Sequence, residues 1–256
     1  MKRKNLIYIC AIGVMAVFCT ACGTKTAEPV PAETIDWNQN NGEQEQVTVA
    51  ETIPFSATTD HDDRFSAVLD NYYTALSKQW DEVQLLSKEM SVLTSYCYEG
   101  NPLENVGYAY VDVNNDGSRE LLIGAIAGDE FVDIVIFDLY VLEHDVPVQI
   151  FCSQERDRYY LCEEEAGGYE IANTGSSGAD SSAWHYYILN GQEMQVIQAI
   201  IYDGMTDPEN PWYMAYDEDW DTTNDTPVDE KMAEDIIESY EKQYMKPDYM
   251  SFAYYK

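Results

Sequence analysis

Apolar residues follow a helical period at the start of the strongly patterned part of the chain. Phe65, Leu69, Tyr72 and Leu76 recur at intervals of three or four residues, the spacing that places side chains on one face of a helix. Asp60, Asp62 and Asp63 precede them, and acidic side chains stabilise the positive end of a helix dipole. The pattern predicts an N-terminal helix that buries one face.

The helical pattern extends through residues 81–95, which we predict to form a second helix or a helix followed by a turn. Its predicted apolar side consists of Val83, Leu86, Met90 and Leu93. A change of period after residue 105 ends this helical part of the chain.

From residue 106 the chain changes to short runs rich in Val, Ile and Tyr, separated by Gly, Asn and Asp. Such runs are typical of successive antiparallel strands, and Asn190-Gly191 is a strong signal for a two-residue hairpin. No helical pattern lies between the runs, which disfavours a parallel sheet. The predicted strands are residues 106–112, 119–126, 131–143, 147–153, 158–164, 168–173, 182–189, 193–203 and 212–216.

Another amphipathic helix is predicted near the C-terminal end. Thr226, Pro227 and Asp229 form a capping-box pattern with proline at the first helical position. Helices at both ends of an antiparallel β-meander sheet define the α+β class. About 200 residues are enough to bury one core, so we predict a single α+β domain over residues 60–256.

The first 21 residues have the pattern of an export signal. Residues 2–4 are basic and residues 6–18 are almost wholly apolar, a stretch shorter than the roughly 20 residues that a spanning helix needs. Small residues before Cys22 resemble the lipobox of bacterial lipoproteins, in which the cysteine receives fatty acyl chains. We therefore predict a signal peptide over residues 1–21 and lipidation of Cys22. The alternative is an uncleaved N-terminal helix.

Residues 22–59 are rich in Thr, Glu, Gln, Asn and Pro and show no apolar period. This composition predicts a disordered tether, whose root-mean-square span is on the order of 35 Å for a flexible coil. The expected location is the extracytoplasmic face of the cell membrane, with the membrane as a partner through the lipid anchor.

The net charge of the chain limits the classes of partner that it can bind. The chain has 47 Asp and Glu residues against 14 Lys and Arg, for a formal net charge of −33. A surface of this sign repels nucleic acid and attracts cations. Nucleic-acid binding is therefore not expected.

An extracytoplasmic location permits disulfide bonds. Cys152 and Cys162 flank a polar turn at residues 154–157, and on a hairpin they would face each other across it. They are the candidate disulfide, although sequence alone leaves the connectivity open. Cys97 is interpreted as a single buried thiol.

The stretch V-D-V-N-N-D-G-S-R-E, residues 111–120, places oxygen-bearing side chains at alternate positions before a glycine. Calcium takes six to eight oxygen ligands, and a chain supplies them by such alternation followed by a sharp turn. The candidate calcium ligands are Asp112, Asn114, Asp116, the Ser118 carbonyl and Glu120. The alternative is a metal-free hairpin in which Asp112 and Asn114 accept hydrogen bonds from turn amides.

This loop is not an EF-hand, because the twelfth position, which requires glutamate, is Ile123. The D-x-N-x-D-G-x-x-E pattern between two strands instead resembles the calcium hairpins of integrin-type propeller blades. The motif occurs once, without an accompanying repeat of propeller length, so a propeller is not supported.

Two further groups of residues are candidate sites. Ser177 with His185 is a candidate nucleophile–base pair, but the strand–turn–helix setting of a nucleophile elbow is missing, which favours a hairpin loop. Trp212, Tyr216 and Trp220 accompany acidic residues, and exposed aromatic rings of this kind bind sugars or proteins. The alternative is a last strand whose Trp212 and Tyr216 belong to the core.

The chain resembles a group of lipoproteins from clostridial-type Gram-positive bacteria. The features that carry the resemblance are the cysteine after small residues, the polar tether, residues 72–76 and 101–109, the D-x-N-x-D-G hairpin and the capped C-terminal helix. The resemblance covers most of the mature chain. It implies a lipid-anchored extracytoplasmic protein with one calcium-loop-like hairpin. The resemblance provides no established activity and no catalytic residues to assign to this chain.

These observations support three hypotheses. The first is a non-enzymatic cell-surface binding module for a cell-wall glycan or a protein partner, with calcium in the hairpin. The second is an extracellular hydrolase that acts on glycan or peptide, which requires a cleft that holds a carboxylate pair or Ser177 with His185. The third is an envelope protein that binds no ligand.

Overall fold

The computed structural model of the chain describes residues 62–163 and 168–256. Their twelve strands form one large sheet in the order β10-β9-β8-β7-β6-β5-β3-β2-β1-β12, with β4 on β3 and β11 on β5. The strands are β1 (Val106–Val111), β2 (Glu120–Ala125), β3 (Ile136–Glu143), β4 (Val146–Cys152), β5 (Asp157–Glu163), β6 (Tyr169–Gly178), β7 (Ser181–Asn190), β8 (Glu193–Asp203), β9 (Trp212–Ala215), β10 (Thr226–Pro227), β11 (Tyr244–Met245) and β12 (Met250–Ser251). The α+β class and the meander of antiparallel strands are confirmed.

In the described ranges, four α-helices accompany the sheet: α1 (Ser66–Lys78), α2 (Glu82–Leu86), α3 (Pro102–Asn105) and α4 (Glu230–Glu241). The N-terminal helix packs as its period predicts, since Leu69, Tyr72 and Leu76 are all buried. Together with Phe252 near the C-terminus, they cover one face of β1, β2 and β3. This packing forms the larger core.

The C-terminal helix α4 covers the strands at the other end of the sheet. Its Ala233 and Ile237 pack against Ile200, and the ring of Tyr240 lies parallel to that of Tyr186. The predicted cap at Thr226 is wrong by three residues. Asp229 caps the helix by accepting a hydrogen bond from the Met232 amide at 2.8 Å.

Thr226 and Pro227 instead form β10 and pair with β9. Proline fits there because β10 is the terminal strand in the sheet order, and an edge position does not require an amide donor on both sides.

Three predicted boundaries differ from the structure. The strand predicted to end at residue 173 continues as β6 to Gly178, so Ser177 lies on a strand and not in the predicted hairpin loop. Residues 81–95 divide into α2 and a 3₁₀ turn over Val92–Cys97, and Val83 and Leu86 are exposed whereas Leu85 is buried. The helix is too short for a full apolar stripe. The strand predicted from residue 131 begins only at Ile136, because residues 130–132 form a 3₁₀ turn that buries Val132.

The predicted disulfide is not formed: Cys152 and Cys162 are both free thiols. They do not face each other because β4 and β5 are not two arms of one hairpin. Cys152 is in register with Asp138 of β3, whereas Cys162 is in register with Glu170 of β6 and Tyr244 of β11.

A buried carboxyl group connects the larger core to the middle of the sheet. Asp138 on β3 is fully buried and accepts hydrogen bonds from the Tyr72 hydroxyl, the Ser91 amide at 3.3 Å and Gln149 Nε2 at 2.6 Å. Burial raises the pKa of Asp138 well above its ordinary value. This group holds α1, the 3₁₀ turn and β4 against β3.

Two glycines on adjacent strands make room for an aromatic ring. Gly107 of β1 and Gly124 of β2 are register partners, and Tyr249 lies across both. A Cβ atom at Gly107 would be 2.7 Å from Tyr249 Cβ, and one at Gly124 would be 2.5 Å from Tyr249 Cζ. The C-terminal segment can therefore pack flat on the sheet only where side chains are absent.

Candidate functional site

The D-x-N-x-D-G motif forms the connection between β1 and β2. Asp112 accepts hydrogen bonds from the amides of Asp116 and Gly117 at 3.0 and 2.9 Å, and Asp116 Oδ1 accepts one from the Ser118 amide at 2.7 Å. Asn114 Oδ1 accepts a further bond from the Asp116 amide at 3.1 Å. These hydrogen bonds from turn amides to side-chain oxygens are the ones expected of a metal-free hairpin.

Glu120 differs from the other candidate ligands because its side chain is buried, with 3% exposure. Its Oε2 accepts a hydrogen bond from the Val113 amide at 2.7 Å. Burial, and to a lesser extent the negative charges of Asp116 and Asp112, raise the pKa of Glu120 to about 7. A cation in the loop would reduce this repulsion between carboxylates.

Within the described ranges 62–163 and 168–256, no group of three or more His, Cys, Asp or Glu side chains is arranged to hold a metal ion. Calcium also uses carbonyl, amide and water oxygens, and Asn114 and Ser118 supply ligands of those kinds. Calcium binding by the hairpin remains a prediction.

The signal peptide, Cys22 and the tether over residues 22–59 lie outside the described residues. Among the helices of the described part, none has the length and apolar character needed to cross a membrane.

The three aromatic residues predicted as one group lie in different places. Trp212 of β9 is half-buried on the α4 side of the sheet, with its ring 5.9 Å from Trp184 and 4.9 Å from Tyr202. Tyr216 is 63% exposed. Only Trp220, of these three, lines a cavity that contains other candidate residues.

This cavity, of about 390 Å³, lies on the sheet face opposite α4. Its floor is a row of three register partners on adjacent strands: Tyr159 of β5, Asn173 of β6 and His185 of β7. Tyr187, two residues after His185, extends the floor because alternate residues of a strand share a face. We call this site the His185 cavity.

A loop between β9 and β10 forms one wall of the His185 cavity. Trp220 packs on the backbone of β6, where a Cβ atom at Gly175 would lie 3.1 Å from the indole Cζ2. The loop is fixed beyond Trp220 by a 3₁₀ turn, in which Asp221 accepts a bond from the Thr223 amide and Thr222 is buried. Glycine at position 175 is therefore what allows the indole to approach the sheet.

Polar groups converge in the His185 cavity. Asn173 Nδ2 donates to Asp157 Oδ1 at 2.6 Å, and Asp157 and Glu218 both line the space. His185 is 3% exposed, and its Nε2 makes no hydrogen bond to any residue that the structure describes. An unpaired buried polar atom is costly, and this nitrogen is enclosed by protein.

Burial controls the protonation of the cavity residues. It lowers the pKa of His185 despite the opposing influence of the nearby Asp157 and Asp217, so the imidazole is neutral at pH 7. Burial, with additional contributions from the charges of Asp157 and Glu218, raises the pKa of Tyr159 and Tyr187. Both tyrosines therefore keep their hydroxyl protons.

Ser177 and His185 line the same cavity, as the hydrolase hypothesis requires. They are nevertheless not a contact pair. The register partner of His185 is Asn173, and Ser177 lies four residues further along β6, a distance of about 13 Å at the usual rise of a strand. General-base activation requires hydrogen-bond contact, so the geometry does not support a Ser–His mechanism.

Sequence reasoning singled out His185 and Trp220 separately but did not bring them together. It missed Tyr159, Asn173 and Tyr187. The signal was present in the pattern of β6, where Asn173 shares a strand face with buried Ile171. A polar residue at a buried strand position requires a partner.

Comparison of the chain with protein-family models, with curated proteins and with solved structures finds no match.

Proposed function

We propose that this chain is a lipid-anchored, non-enzymatic binding module on the extracytoplasmic face of the cell membrane, and that it binds cell-wall glycan through the His185 cavity. The observation that carries the proposal is the convergence of aromatic rings with polar side chains in one concave space. The acylated Cys22 and the tether over residues 22–59 would hold this cavity within reach of the wall.

The lining of the cavity suits a sugar ring. Trp220, Tyr159 and Tyr187 line the cavity, and aromatic rings are surfaces against which the C–H groups of a pyranose can pack. Asp157, Asn173 and His185 offer hydrogen-bonding atoms for ring hydroxyl groups, and a few such groups in a largely aromatic pocket are typical of small-molecule sites.

The first prediction concerns Trp220. Trp220→Ala is expected to weaken binding of a cell-wall oligosaccharide by about tenfold, because loss of one ring contact is worth about 1.4 kcal/mol. The measurement is titration calorimetry with the full-length chain in detergent, against oligosaccharides of neutral, N-acetylated, anionic and amino hexoses. The matched control is Tyr216→Ala, which removes an exposed ring of the same loop that does not line the cavity.

Equal affinity of the wild type and both variants would place the binding elsewhere, and the absence of any binding would exclude the glycan proposal. The same incubations distinguish the hydrolase hypothesis, whose remaining support is that Asp157 and Glu218 line one cavity. Release of new reducing ends that is lost in Glu218→Gln would favour hydrolysis over binding.

We also propose that the hairpin formed by residues 111–120 binds calcium and stabilises the β1–β2 connection. The supporting observations are the alternate placement of Asp112, Asn114 and Asp116 and the buried carboxyl of Glu120 beside them. Hydrogen bonding to the Ser118 amide lowers the pKa of Asp116, which keeps this carboxylate ionised, as a calcium ligand must be.

Calcium is expected to raise the midpoint of thermal unfolding of the full-length chain relative to EDTA. Binding at a hundred times Kd stabilises by about 2.7 kcal/mol, which corresponds to about 5–10 °C for a chain of this size. Asp116→Ala should abolish the shift, whereas Asp129→Ala, in a different turn, should keep it. Identical melts in calcium and EDTA would assign residues 111–120 to a purely polar turn.

A further inference from the structure

The geometry points to an amino sugar with a free ammonium group as the ligand of the His185 cavity. The inference rests on the proposed glycan function and narrows it to one class of sugar. It distinguishes de-N-acetylated hexosamine from its neutral N-acetylated form and from acidic sugars.

The cavity is rich in hydrogen-bond acceptors. The Asn173 amide nitrogen is already used, since Nδ2 donates to Asp157 Oδ1 and to the Arg158 carbonyl. Its Oδ1 lies 3.8 Å from where a Cβ atom at Gly175 would be, on the side covered by Trp220. A ligand that brings several donors is therefore complementary to this wall, and an ammonium group brings three.

The side chain of His185 is neutral in the cavity. The pKa of this side chain is lowered by burial, so at pH 7 one ring nitrogen is an acceptor. A protonated primary amine can donate to a neutral imidazole, whereas a second acceptor such as a sugar carboxylate cannot. His185 therefore contributes a neutral imidazole, not a positive charge, to the lining of the cavity, and a cationic ligand meets no repulsion from it.

The lining of the cavity has more negative than positive side chains. Among the described residues that line the cavity, the carboxylates of Asp157 and Glu218 outnumber the single guanidinium, that of Arg156. Aromatic faces such as that of Trp220 also attract cations. The excess of acidic residues along the whole chain raises the local concentration of cationic ligands.

The test compares glucosamine and N-acetylglucosamine oligomers of equal length at about pH 6, because electron-withdrawing ring substituents lower the pKa of the glucosamine amine well below that of lysine and the amine must be protonated. The full-length chain in detergent is expected to bind the glucosamine oligomer at least about tenfold more tightly, the usual scale for a charge-assisted hydrogen bond. Glu218→Gln should remove most of this preference. Asp219→Asn makes the same change in net charge one residue away, outside the lining, and should keep the preference.

Each outcome separates this inference from the proposed function. Equal binding of both oligomers, still weakened by Trp220→Ala, would overturn the amino-sugar inference and leave the glycan proposal intact. If Glu218→Gln and Asp219→Asn reduced the preference for the glucosamine oligomer equally, the preference would come from the net charge of the chain and not from the cavity. That result would also overturn the inference. Binding of neither oligomer, together with binding of an acidic or neutral hexose, would overturn it as well, and no binding at all would overturn both.

Discussion

Replacement of Asp138 by leucine is expected to lower the free energy of unfolding by about 3–5 kcal/mol. The substitution leaves the buried Tyr72 hydroxyl and Ser91 amide without an acceptor, and each unsatisfied buried group costs about 1–3 kcal/mol. Gln149 Nε2 also loses a bond to Asp138 but keeps its bond to the Glu89 carbonyl. Chemical denaturation followed by tryptophan fluorescence measures the change. Glu143→Leu, at the half-exposed end of the same strand, should change stability by about 0.5 kcal/mol or less.

The pH dependence of Asp138→Asn tests the role of the proton. Because the folded pKa of Asp138 is raised, the folded protein keeps a proton that the unfolded chain releases above about pH 4. The stabilisation by this carboxyl is complete below that pH and is lost as the pH rises toward the folded pKa. The stability difference between wild type and Asp138→Asn should therefore shrink from about pH 4 to pH 8. A constant difference would mean that the carboxyl titrates alike in both states.

Gly124→Ala is expected to destabilise the protein by about 2–3 kcal/mol, the usual range for overpacking in a buried site. The new Cβ atom would lie 2.5 Å from Cζ and 2.9 Å from Cε2 of Tyr249, so the ring must leave the sheet. Thermal and denaturant unfolding report the loss. Gly178→Ala is the matched control, since no atom lies within 4 Å of its new Cβ.

A double-mutant cycle assigns the effect of Gly124→Ala to the ring. In a Tyr249→Ala background the same alanine should cost nearly nothing, because the space above the glycine is then open, and the coupling energy should equal most of the single-variant loss. Additive losses would instead place the strain in the backbone of β2.

The sequence predicted well the elements that depend on neighbouring residues. The period of α1 and the hairpin turns between β1 and β9 are local signals, and the structure places those strands within five residues of the predictions, with the largest differences at the start of β3 and the end of β6. β10, β11 and β12 were missed because each contains only two residues. Such short strands exist only through distant partners, which no local pattern contains.

The site was harder to predict because it depends on which face of the sheet each side chain occupies. Trp212 and Trp220 are close in sequence, yet Trp212 belongs to a core strand on the α4 side and Trp220 to a loop that folds over the other face. The row of Tyr159, Asn173 and His185 depends on the register of three strands. Register is set by turns and by packing on both faces, so sequence periods alone could not align the three residues.

The pairing of β12 with β1 has a consequence for how the protein acquires its structure. The Tyr108 hydroxyl donates to Met250 Sδ, which lies 142 residues later in the chain. Phe252 packs in the same core as the buried residues of α1. Contacts of such large sequence separation slow folding, because the intervening loop must close first. The outer edge of β1 stays uncovered until Met250 and Ser251 have been synthesised and can pair with it, and that interval is when the edge is most exposed to pairing with other chains.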